Sequence, residues 1–154
     1  MTQYEELLVE AERLGLKVRE AAFGNKECGY IKNDRILINK NLLDKQKYIV
    51  LAEEIGHYHK TVGDITDQSK IENRKQEKIA RRWSYEKLIG IIDIINAHDY
   101  GCKNLYEMSE YLGVTEKFLQ ATIQHYRETK GPIYQIDQYT VYFEPSFGVL
   151  KMFK

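Results

Sequence analysis

Apolar positions in residues 3–14 recur at helical spacing, with Tyr4, Leu7, Leu8, Ala11 and Leu14 on one side and Gly15 where such a helix would end. A short strand is expected around residues 16–18. In GYIKNDRILINK two apolar-rich runs flank Asn33 and Asp34, residue types that tolerate the left-handed conformations of a tight turn, so a small antiparallel hairpin is expected. A second helix is expected from Asn41 through NLLDKQKYIVLAEEIGHYH, with Gly63 just beyond its end. Its YIVLA section is apolar all round, as suits a helix at the centre of a domain. The third helix, IENRKQEKIARRWSYEKLIG, offers Ile79, Ala80, Trp83 and Leu88 for burial, and IIDIINAHDYG continues helically between breaks at Gly90 and Gly101. Residues 105–127 then read as two short helices around Gly113. The alternating Ile, Tyr, Val and Phe of IYQIDQYTVYFEPSFGVLKMF give two or three strands. The expected class is α+β.

At 154 residues and 43% hydrophobic content the chain is long enough for one domain with a real core. Lys and Arg balance Asp and Glu, 23 against 23, so no global field holds nucleic acid or an anionic membrane; direct nucleic-acid binding is not expected without a local basic face. MTQYEELLVEAERLG has neither the basic nor the apolar region of a signal peptide, and nowhere do ~18 apolar residues run together. A cytoplasmic protein is expected, with no membrane partner. Cys28 and Cys102 stand far apart and outside any C-x-x-C arrangement, which fits reduced thiols.

The stretch LAEEIGHYH brings in candidate chemistry. At ~100° per residue His57 falls in angle between Glu53 and Glu54, and Glu53 lies one turn below it, ~5–6 Å away between Cβ atoms, close enough for both to clasp one ion. On spacing alone the same three residues fit better as the solvent stripe of a surface helix. A catalytic-type zinc site needs three protein ligands. On the third helix Glu77, Ala80 and Ser84 share a face, and the two small side chains would let it approach another helix and deliver Glu77. Glu72 sits on a different arc, nearer the helix start, and is the poorer candidate.

The run KNDRILINKNLLDKQKYIVLAEEIGHYHKTVGDI, followed by QEKIARRWSYEKLI, resembles the ImmA/IrrE family of metallopeptidases found on phages and mobile elements. The family pattern places a strand ending Ile-Asn or Ile-Asp before an H-E-x-x-H helix, then an E-x-x-A-x-x-F/W-A helix. Here ILIN stands at 36–39, EEIGH at 53–57 and EKIARRWS at 77–84, and EYLGVTEKFLQATIQHY with YTVYFEP resembles the tail of phage-encoded members. One departure is that Glu53 replaces the first histidine.

The resemblance implies a minimal zincin-like core over residues 1–98, with residues 99–154 forming a helix-turn-helix-like segment and a C-terminal β-hairpin packed on it. It implies Glu53, His57 and Glu77 as metal ligands and Glu54 as the general base acting on metal-activated water. Zinc is the expected cofactor, with Mn2+ or Fe2+ admitted by the harder ligand set. The implied partner is an Xre-type helix-turn-helix repressor of a phage or mobile element, cleaved to relieve repression. For the oxyanion, Tyr58, His59, His98, Tyr100 and His125 are available without a signal that selects one. His59 faces nearly the opposite side of the helix from His57. RILIN could be a sheet edge that captures an extended substrate. Two readings of other classes stay open. One is a pseudo-peptidase that sequesters a repressor, suggested by Glu53. The other is a DNA-binding regulator using residues 105–127, where Lys117 and Arg127 are offset by Glu116 and Glu128.

Overall fold

Thr2 caps the first helix reciprocally with Glu5, its hydroxyl accepting from the Glu5 N–H while the Glu5 carboxylate accepts from the Thr2 N–H, and α1 runs Gln3–Arg13 with Leu7 and Ala11 buried. The computed structural model of the chain describes residues 1–23, 28–60 and 71–152, with the side chains of Ile71 and Glu72 outside that description. Gly63 and the Glu72 side chain, both considered above, therefore lie outside the described residues. Cα proximity divides the chain into Met1–Leu88 and Ile89–Lys154. The boundary expected after residue 98 would fall instead within a helix, α4 (Ile91–Tyr100).

In the first unit the hairpin forms as expected from β2 (Gly29–Lys32) and β3 (Arg35–Asn39), with Asn33 at φ 57° in its turn. The strand expected at 16–18 is longer, β1 (Lys17–Ala21), and it pairs with β3 in parallel, so the sheet is mixed with order β1-β3-β2. RILIN is therefore the central strand and not an edge. Its Ile36 and Ile38 are fully buried, on the side that meets α2 (Asp44–Lys60). Gly29 lies on that same side: a Cβ there would come 2.7 Å from Val50 Cγ1, so α2 seats on the sheet only because this position lacks a side chain. Leu51, Ala52 and Ile55 of α2 are at most 1% exposed, and burying each large one contributes roughly 2 kcal/mol.

Helix α3 (Ile71–Leu88) packs along α2. Ala80 and Ser84 are fully buried, whereas Ile79, expected in the core, is 46% exposed. The small residues have displaced the large one because the facing position on α2 is Gly56: a Cβ there would stand 2.5 Å from the Ala80 carbonyl oxygen. Gly56→Ala gains up to ~1 kcal/mol of helix propensity but overpacks this crossing by about 1–3 kcal/mol, so net destabilisation is expected. A urea midpoint that stayed the same or rose would contradict the close approach.

The second unit holds α4, α5 (Leu105–Leu112), α6 (Glu116–Lys130) and a sheet of β4 (Ile133–Ile136), β5 (Tyr139–Tyr142) and β6 (Gly148–Lys151), antiparallel in that order. The C-terminal hairpin is thus a three-stranded meander. Gly101 and Gly113 end α4 and α5 in left-handed conformation at φ 110° and 73°. The architecture is α+β, consistent with a small zincin-like fold, and no described helix is long and apolar enough to cross a membrane.

Candidate metal centre

The Gly56–Ala80 crossing decides what meets beside it. One turn along α3 from Ala80, Glu77 comes to α2, and its Oε2 lies 3.1 Å from His57 Nε2. Both side chains are mostly covered, at 23% and 11% exposed. The second oxygen, Glu77 Oε1, lies 3.4 Å from Arg81 Nε one turn on, at the solvent side. Glu53 is half-buried and Glu54 is buried at 8% exposed. Three carboxyl groups thus act on one imidazole, and the Arg81 guanidinium acts on two of them, Glu53 and Glu77.

These groups titrate abnormally for identifiable reasons. Burial pushes Glu54 up to about 7, with the His57 charge opposing and the Glu53 and Glu77 charges reinforcing. Burial likewise raises Glu53, against the pull of Arg81. Burial disfavours charged His57, but its hydrogen bond to Glu77 and the surrounding carboxylates outweigh that and hold it above the ordinary histidine range. The same hydrogen bond holds Glu77 below the ordinary carboxylate range, against its own burial.

In metal-free protein, a raised folded-state value means that protonated Glu54 favours the fold. This stabilisation is complete below 4.5 and is lost as the pH rises through about 7. Glu53 and His57, both raised, act in the same sense. Glu77 is lowered and so titrates below this window. With chelator present, the protein is expected to be about 2–3 kcal/mol more stable near pH 5.5 than near pH 8. A melting temperature that rises over that interval would contradict this assignment.

Among the described residues no three His, Cys, Asp or Glu side chains stand as a ready-made metal cage, and His57 and Glu77 are engaged with each other. The donor chemistry nonetheless fits a divalent ion. Glu53, Glu77 and His57 lie close enough for their charges to act on one another, partly desolvated and with an excess of negative charge that a divalent cation would offset more fully than the exposed Arg81.

Of the groups considered for the oxyanion, Tyr58 is 43% exposed and its ring lies against His59, whose other neighbour is the Trp83 ring at 5.1 Å. His98, Tyr100 and His125 belong to the second unit. His125 is buried there against the Tyr126 ring. Gly56 escaped the sequence reading, although a glycine inside a helical pattern was itself a signal of close packing. In the candidate recognition helix α6, Arg127 Nε donates to the Phe143 carbonyl and Nη1 to Gln124, so its guanidinium is tied within its own unit.

A family model described as Peptidase_M78, IrrE N-terminal-like domain, matches residues 11–124. No curated protein matches the chain.

Proposed function

The chain belongs to the ImmA/IrrE-type metallopeptidase family, Peptidase_M78, and from that premise we propose that it is a metal-dependent endopeptidase cleaving a cytosolic Xre-type helix-turn-helix repressor. The observation that carries the site assignment is the delivery of Glu77 to His57 across the Gly56–Ala80 crossing, beside a buried Glu54. Glu53, His57 and Glu77 would hold a divalent ion, zinc foremost, with manganese or iron(II) admitted by the two oxygen donors. Such an ion, when bound, supplies Lewis acidity to water and to the scissile carbonyl.

Glu54 is the proton carrier of the proposal. A carboxyl group with a value near 7 is divided between its two forms at neutral pH, so it can take a proton from water and return it to the leaving amine. Its desolvation strengthens both transfers. With β3 central, the capture of an extended substrate falls to an edge strand, β1 or β2.

Co-expression with helix-turn-helix repressors, followed by mass spectrometry, tests the reading. Site-specific fragments are expected with the native chain and not with Glu54→Gln. Fragments formed equally by both would remove Glu54 as the base. The sequestration reading rests on Glu53 in place of a histidine, and it predicts a stable repressor complex with no fragments.

A further inference from the structure

The chain's zero net charge conceals a basic face, because strand residues alternate sides. On the sheet side away from α2, Lys17 of β1, Arg35 of β3 and Lys32 of β2 stand directly opposite one another, and all three are exposed. Strands lie about 4.8 Å apart, so this row of three cations spans only about 10 Å. The next row on the same face is Arg19, Leu37 and Tyr30. Like charges placed directly opposite across a ladder destabilise it, so nothing in the folding of this sheet favours the arrangement.

The described residues do not neutralise it. Ion pairs of this unit join Lys47 to Glu20, Lys87 to Glu10, and His57 and Arg81 to Glu77, leaving the four cations without a carboxylate among the described residues. The one acid of β1, Glu20, alternates to the other side and is held by Lys47 and Tyr4. Asp34, in the hairpin turn, is the acid that lines the concavity of about 760 Å³ over this face. Tyr30 is 45% exposed, and its ring lies against that of Phe23, 5.9 Å away between centroids.

We propose that the outer face of the β1-β3-β2 sheet binds single-stranded nucleic acid, with phosphates along Lys17, Arg35, Lys32 and Arg19 and a base stacked on Tyr30. A cationic track beside an exposed aromatic ring is the combination that holds single strands without reading their sequence. An acidic polypeptide would use the cations but leave the ring unmatched. A duplex backbone would do the same, its bases being stacked within it. The face lies across the sheet from α2, and the proposal does not rest on the peptidase reading.

Fluorescence anisotropy of the full chain with a labelled thymidine oligonucleotide of about 16 nucleotides tests this. Four phosphate contacts predict a log–log salt slope of about −2.8, a roughly fifty-fold weakening between about 50 and 200 mM salt. Replacing Lys17, Lys32 and Arg35 together by Ser should bring the slope to about −0.7 and cut low-salt affinity more than tenfold. That variant relieves repulsion, so its melting temperature should equal or exceed that of the native chain. Tyr30→Ala should weaken binding about tenfold at unchanged slope. Absence of oligonucleotide binding at about 50 mM salt, or binding unaffected by the triple replacement, would overturn the proposal. So would a duplex that binds as tightly and ignores Tyr30→Ala, or polyglutamate that binds where the oligonucleotide does not.

Discussion

Glu54→Gln is expected to abolish repressor cleavage while leaving the metal content unchanged. Glutamine keeps the size and shape of the side chain but can neither accept the proton from water nor hand it on. Losing a positioned acid–base group costs about 10²–10⁴-fold in rate, so in a digestion stopped when the native chain has just consumed the repressor the variant should leave it essentially intact. Misfolding is not expected to confuse the result. Glu54 is 8% exposed and burial raises its pKa to about 7, so the protein already resists a charge at this position. A neutral amide removes that burden, and the variant should be at least as stable as the native chain at alkaline pH. Cleavage that survives the change would mean that the base lies elsewhere.

Glu77→Ala is expected to empty the site. In the native chain Glu77 Oε2 is 3.1 Å from His57 Nε2 and supplies the second of two proposed oxygen donors. Its removal leaves Glu53 and His57 on one helix, two ligands where a catalytic-type ion needs three. The loss of affinity should exceed the about 10–100-fold that follows removal of an outer partner of a ligand. Glu72→Ala is the control. Glu72 stands five residues earlier on the same helix, about 140° around its axis, and should leave the metal in place. If Glu72→Ala loses metal after dialysis and Glu77→Ala keeps it, the ligand assignment is wrong.

The close approach of the two site helices was legible in the small residues of α3, since Ala80 and Ser84 are the positions that end up fully buried. What local pattern could not supply was the partner position. Gly56 receives the Ala80 backbone, and its effect on Ile79, left exposed, depends on a contact between segments distant in the chain. The hairpin around Asn33 was readable because turn chemistry is local. The central place of β3 was not, because it depends on parallel pairing with β1 from beyond the hairpin. The basic face was hidden for the same reason: Lys17, Arg35 and Lys32 become neighbours only once the register of three strands is set. Glu53, Glu54 and His57 were visible as a helical constellation, but their burial and the raised pKa of Glu54 depend on what α2 packs against.

The assignment of this centre as a metal site is tested most directly by elemental analysis of protein purified without chelator, repeated after incubation with zinc, manganese or iron(II) and dialysis. A stoichiometric divalent ion is expected in the native chain, zinc foremost, and its loss in Glu77→Ala. Native protein that stays metal-free through purification and reconstitution alike would contradict the proposed ligand set and, with it, the proposed peptidase activity.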